Sequence, residues 1–268
     1  MKFLDNDPRS VVRPDEMVRT FACRKGDASS ELSLEGFALI TFVPNDLKEW
    51  IGDGKETLPV QAWSERGHVL YRGEGWIAVR SGFGAPSAVM LLEELIAFGV
   101  RKVLYLGYCG SLHEEIRVGD VILPTEALRE EGTSYHYLPE GERSFPDRLM
   151  QDQLFRQFKE DALRVHTGRV WTTDAPYRET PTKVRRYAED GILGVEMEMS
   201  AVFALGMVRN VSVGAVLIVS DVLGEREWKA GFFSSEMRAS RKRIIEKLRA
   251  VIGGCCHTTG GIGLRDIG

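Results

Sequence analysis

Carboxylates, a methionine and glycines recur in three short segments of this sequence, each beside a run able to form regular structure. Ser220-Asp221 directly follows the apolar run GAVLIV. An aspartate at the mouth of a buried strand sits in a partly dry setting, where its pKa can rise and it can deliver a proton. The same dipeptide is also an ordinary cap for the next element. Val195-Glu196-Met197-Glu198-Met199 sets two carboxylates around a methionine where a helix begins. The helix dipole alone favours acids there; as a binding device, one carboxylate accepts both hydroxyls of a sugar diol while the thioether packs against the ring. Gly107-Tyr108-Cys109-Gly110-Ser111 reads as a glycine turn after VLYL, where backbone amides can approach a ligand closely.

The elements that must position these residues alternate in kind. Continuous apolar runs at 38–43, 76–80, 103–106, 121–123 and 213–219 predict buried strands, the first ending in a turn at Pro44-Asn45-Asp46. Helical spacing predicts helices over 86–98, 147–159 and 198–208, and a basic amphipathic one over about 234–251. Strands alternating with helices imply an α/β fold with a mostly parallel, covered sheet in a single domain. Residues 1–35 are polar and read as an N-terminal arm, 36–252 as the domain, and the Gly-rich 253–268 as a flexible tail.

Bulk properties exclude several classes. With 28% charged residues and a formal net charge of −4, nothing electrostatic favours nucleic acid. No apolar run reaches the length of a membrane span, and MKFLDNDPRS lacks the apolar core of a signal peptide. Cys23, Cys109, Cys255 and Cys256 match neither a metal spacing nor a disulfide framework, which points to a reducing cytoplasm. His68, His113 and His166 have no partners at metal-ligand spacing, so no metal is expected.

Taken in order, the three segments resemble the purine nucleoside/uridine phosphorylase family, which also includes nucleosidases. The matching text is GFGAPSAVMLLEELIAFGVRKVLYLGYCGSL, RVGDVILPTEALREEGTSYHYLP, GILGVEMEMSAVFALG and VLIVSD, over roughly residues 35 to 250. The resemblance implies a central mixed sheet partly closed into a barrel with helices around it, and trimers or hexamers. It implies that Glu198 binds the ribose hydroxyls, that Met197 packs beneath the sugar with Glu196 beside it, and that Asp221 protonates N7 of a departing purine. Tyr108, Cys109 and Gly110 fall beside the base. Pro176 stands where the family has a stacking ring, leaving Tyr177, with Arg178 next to it, as the substitute. Trp228 is a lid candidate.

Such residues suit cleavage of an N-glycosidic bond, which builds positive charge on the ribose and negative charge on the base. A carboxylate on the diol offsets the first and an acid at N7 neutralises the second. The expected activity is therefore phosphorolysis of a purine nucleoside to base and ribose 1-phosphate, with phosphate as co-substrate and no other cofactor. The resemblance thins at the phosphate ligands. Tyr105 and Tyr108 replace the family's arginine and its Ser or Thr, and a phenol does not replace an arginine's bidentate fork. Lys48, Arg66, Arg80 or Arg178 are candidates to compensate. A nucleosidase using water, with Asp46 or Glu49 as activating carboxylate, is one alternative; a nucleoside sensor without turnover is another.

Overall fold

Strands that read as unbroken apolar runs need cover on both faces, and the computed structural model supplies it. It describes residues 3–5, 7, 9–23, 33–52, 56–58, 63, 68–159, 163–224 and 227–257. Strands β1 (Phe37–Thr41), β5 (Lys102–Ser111) and β9 (Ser212–Leu223) run parallel, with β5 between the other two. Ala38, Ile40, Val103, Tyr105, Ala215 and Leu217 point into one core, and Phe37, Leu39, Leu104, Leu106, Val216 and Ile218 into another. That is the period of two a pleated strand imposes. Helices α1 (Pro14–Cys23), α3 (Ala85–Ala97) and α6 (Met199–Arg209) close the first core. Helices α2 (Pro44–Ile51), α4 (Arg148–Lys159) and α7 (Ser235–His257) close the second.

Five strands form a barrel. β9 pairs with β6 (Val121–Glu130), β6 with β7 (Val165–Thr173), β7 with β8 (Ile192–Glu196), and β8 returns to β5. β5 closes it by changing partner: Lys102 to Leu106 pair with β1, whereas Gly110 and Ser111 pair with β8. Beyond β1 the sheet continues through β4 (Trp76–Arg80), β3 (Leu70–Gly73) and β2 (Glu56–Leu58), and β10 (Trp228–Ala230) hangs antiparallel on β9. Helix α5 (Pro181–Glu189) lies against β8.

A β-bulge sits where three of the chemistry-bearing residues meet. Val219 pairs with Cys109 and Asp221 with Gly110, so Ser220 is the extra residue. Bulges bend a strand and re-aim its side chains. Gly110 leaves room there: a Cβ would meet Leu223 Cδ1 at 2.2 Å and Asp221 Oδ2 at 3.0 Å, so both side chains would have to shift.

Several expectations are corrected. Residues 107–111 are not a turn but the end of β5, continued by its pairing with β8 and β9. Pro44-Asn45-Asp46 opens α2, because proline's fixed φ suits a first helical turn. β6 continues through Pro124, and its register with β7 shifts there, where proline has no N–H to give. The stretch read as an irregular arm contains α1, which buries Val18, and α7 runs to His257 rather than ending near 251. Among the described residues, no helix is long and apolar enough to cross a membrane.

Phe203 on α6 is fully buried in the first core, whereas Leu149 on α4 is 78% exposed. Phe203→Ala is expected to cost about 3–5 kcal/mol, and Leu149→Ala under about 0.5 kcal/mol, both read from denaturant midpoints.

Candidate active site

Because β1, β5 and β9 are parallel, the residues at their C-terminal ends gather at one edge of the sheet, where α/β folds place their sites. A cavity of about 630 Å³ opens there. Glu196, Met197, Glu198, Tyr108, Cys109, Gly110, Tyr177, Ser220 and Asp221 all line it. The diol-binding candidate and the proton-donor candidate therefore share one chamber.

At one end stand two buried carboxylates. Glu196 closes β8, and its Oε2 accepts the amides of Glu198 at 2.6 Å and Met199 at 2.7 Å. Its Oε1 accepts the Thr172 hydroxyl, which in turn accepts the Ser200 amide at 2.9 Å. Glu198 is the N-cap residue of α6 and its Oε1 accepts the Gly84 amide at 2.6 Å. Gly84 holds φ at 89°, a conformation that favours glycine, and it is itself the N-cap of α3. Burial raises both carboxyls above the usual carboxylate range, and the charge of Glu198 raises Glu196 further.

Asp221, on the β9 wall of the chamber, has a donor on each oxygen. The Ser220 hydroxyl donates to Oδ1 at 2.6 Å and the Trp228 indole N–H to Oδ2 at 2.7 Å. Glu179 lines the same region. Burial, then the nearby charge of Asp221, pushes it up to about 7.

The remaining wall is aromatic. Phe83 stacks on Phe42 at 6.4 Å, and Phe42 on the fully buried Tyr105 at 5.9 Å. Tyr108 donates its phenol proton to Asp46 Oδ1 at 2.7 Å. Asp46 is wholly buried, and its Oδ2 has no partner among the described residues. Burial pushes Asp46 up to about 6 despite the bond from Tyr108 and the Arg241 guanidinium, whose Nε lies 3.7 Å away.

Other candidates lie elsewhere. Lys48 is exposed on α2, Arg80 ends β4, and Arg178 is exposed in a short 3-10 helix (Pro176–Arg178); none lines the cavity. The rotation of α2 turns Lys48 outward while burying Asp46. Arg66 lies outside the described residues. Tyr177 borders the cavity yet is fully exposed, so neither face of its ring is covered. Among the described lining residues there are five carboxylates (Glu179, Glu196, Glu198, Asp221, Glu227) and no Lys or Arg. Sequence reasoning passed over Glu179, whose position just before Thr180, the N-cap of α5, makes it look like part of a helix start. Phe42 and Phe83 were missed as well, since only the fold stacks them. Among the described residues, no group of three His, Cys, Asp or Glu could hold a metal ion.

Residues 37–253 match the family model for the phosphorylase superfamily. A guanosine phosphorylase of Halorubrum lacusprofundi is 30% identical over 177 residues, 66% of this chain and 73% of the relative. A DeoD-type purine nucleoside phosphorylase of Bacillus cereus is 32% identical over 155 residues, 56% of this chain and 65% of the relative. Among solved structures, a purine nucleoside phosphorylase from Toxoplasma gondii in complex with immucillin-H superposes with a TM-score of 0.75. It is 21% identical and covers 84% of this chain and 93% of its own. A uridine phosphorylase from Vibrio fischeri gives 0.71 at 19% identity, covering 82% and 93%. With a family model matching most of its length and a barrel of the same fold, the chain belongs to the phosphorylase superfamily.

Proposed function

We propose that this enzyme cleaves the N-glycosidic bond of a purine nucleoside. The observation that carries the reading is that Glu198 and Asp221 line one chamber of about 630 Å³, a size suited to a small-molecule ligand. Glu198 takes the ribose diol and, once ionised, offsets positive charge growing on the sugar. Met197 packs against the ribose, and Glu196 braces the loop that carries both. Asp221 supplies the proton to the departing base. Glu179 faces the same end and suits a base edge that carries N–H donors, as in guanine; one relative is named guanosine phosphorylase.

Two acceptors for the ribosyl group fit the family. Phosphate is the one that the relatives' names carry. The lining of this chain favours water, because a phosphate dianion entering the chamber meets carboxylates and stacked rings and no described cation. Tyr105 and Tyr108 fill the ground where cationic and hydroxyl ligands were expected.

Base release from guanosine, inosine, adenosine and uridine, followed with and without phosphate, tests both parts. Release from the purine nucleosides alone, at a rate unchanged by phosphate, is expected; strict phosphate dependence would sink the hydrolytic reading, and preference for uridine the purine one. Asp221→Asn is expected to slow release from purine nucleosides about 10²–10⁴-fold. Glu198→Gln is expected to lower kcat/KM about 10²–10³-fold, with near-normal turnover in either variant removing its assigned role.

A further inference from the structure

Helix α6 is not capped by its own N-cap residue. That residue is Glu198, and its carboxylate makes no cap bond to the helix. Its Oε1 instead accepts the Gly84 amide at 2.6 Å, and its side chain lines the chamber. The amides that a helix start leaves without backbone partners must still be satisfied when buried. Glu196 Oε2 takes those of Glu198 at 2.6 Å and Met199 at 2.7 Å, and the Thr172 hydroxyl takes that of Ser200 at 2.9 Å. Thr172 also donates to Glu196 Oε1, so one hydroxyl joins the two acceptors. A short polar residue at 198 would cap α6 unaided, as Ser, Thr, Asp and Asn commonly do. Here capping is delegated to neighbours, which leaves the Glu198 carboxylate for the chamber.

We propose that Thr172 is a positioning residue for the reaction: by joining Glu196 to the Ser200 amide, it sets the peptide from which Glu198 reaches the ribose diol. This rests on the reading of Glu198 as the diol-binding carboxylate, and it holds whether water or phosphate takes the ribosyl group. Thr172 is fully buried and is not among the described residues that line the chamber. It therefore acts through Glu196 and α6 rather than on substrate.

Strand pairing puts the hydroxyl where this role needs it. Thr172 lies opposite Glu196 in the parallel pairing of β7 with β8, while its neighbour Trp171 packs in a smaller core with Tyr187 and Ile192. The bonds continue outward from α6. The Ser200 hydroxyl donates to Glu131 Oε1 at 2.8 Å, and Glu131 Oε2 accepts the Ser134 amide at 3.0 Å. Arg129 Nε donates to the Ser134 hydroxyl at 2.8 Å. All of these residues are buried, and a satisfied buried network of this kind fixes a single arrangement. The Thr172 bond also opposes burial and the charge of Glu198, which together push the Glu196 carboxyl up. It thereby favours the ionised form, which accepts on both oxygens.

The experiment compares base release from guanosine and from 2′-deoxyguanosine, which lacks one hydroxyl of the diol, with phosphate present throughout. Thr172→Val keeps the branched shape and strand preference of threonine and loses its hydroxyl. It is expected to lower kcat/KM for guanosine about 10²-fold and for 2′-deoxyguanosine under about 10-fold, so that the ratio between them falls. Thr172→Ser, which restores the hydroxyl, is expected to keep the wild-type ratio. In a Glu198→Gln background, Thr172→Val is expected to cost little more, as residues acting as a unit do. The ratio does not depend on how much enzyme is folded, so a merely structural role lowers both substrates equally; Thr172→Ala reads the same ratio where the valine variant does not fold. Equal losses on both substrates, an unchanged ratio, a serine variant as impaired as valine, or losses that multiply with Glu198→Gln would overturn the inference alone. A wild type that cleaves both substrates equally would remove Glu198 from the diol and the inference with it, and no release from any nucleoside would remove the cleavage reading as well.

Discussion

Two glutamates, Glu196 and Glu198, separated by Met197, are buried in the wall of a chamber whose described lining holds no Lys or Arg. Their proximity is tolerated because peptide amides, not side-chain cations, are aimed at them. Glu196 takes the amides of Glu198 and Met199 at the start of α6, and Glu198 takes the amide of Gly84 at the start of α3. Two helix N-termini thus converge on one acidic pair, each bringing the partial positive charge of its exposed N–H groups. The helices pack on each other in the first core, so the burial of α3 and α6 and the placement of the diol-binding candidate are one event.

The same economy runs through the other side of the chamber. Asp221 is aimed by a bulge and by a glycine that leaves it room, and it is held by an indole from β10. Asp46 is held by a phenol from β5 and an arginine from the last helix. Arg249 on that helix also donates to the carbonyl oxygens of Glu49 at 2.6 Å and Trp50 at 2.9 Å, tying down the C-terminal end of α2. Glu198 and Asp46 are held by elements distant in sequence, whereas Glu196 and Asp221 are held largely by near neighbours in the chain. Burial raises the proton affinities of Glu196, Glu198 and Glu179 in the chamber wall and of Asp46 behind Tyr108.

Much of this was legible in the residues. Apolar runs announced β1, β4 and β9, since strands covered on both faces show no polar alternation. The spacing in 86–98 and 198–208 announced α3 and α6, and the residues of the EMEMS and SD segments meet at one chamber. Other features were hidden for physical reasons. β7 carries His166, Thr167 and Arg169 in its first half, and α1 mixes Asp15, Glu16, Arg19 and Thr20 with its apolar residues, so local pattern alone does not declare them. The glycines of 107–111 look like a turn because a single strand cannot reveal that it will gain new partners on both sides. Cation placement was the least legible, because whether Lys48, Arg80 or Arg178 reaches a site depends on helix rotation and strand ends rather than on spacing.

Trp228 has a consequence of a different kind. Its indole is 60% exposed, yet its N–H is committed to Asp221 Oδ2 while the Ser220 hydroxyl holds Oδ1. A base that uses this acid shares a carboxyl already flanked by both donors, and the indole, mounted on a three-residue edge strand, is the freer of the two to shift. Docking then changes the hydrogen bonding and the wetting of a single tryptophan. The chain carries its own optical gauge of occupancy, legible by fluorescence before any bond is broken.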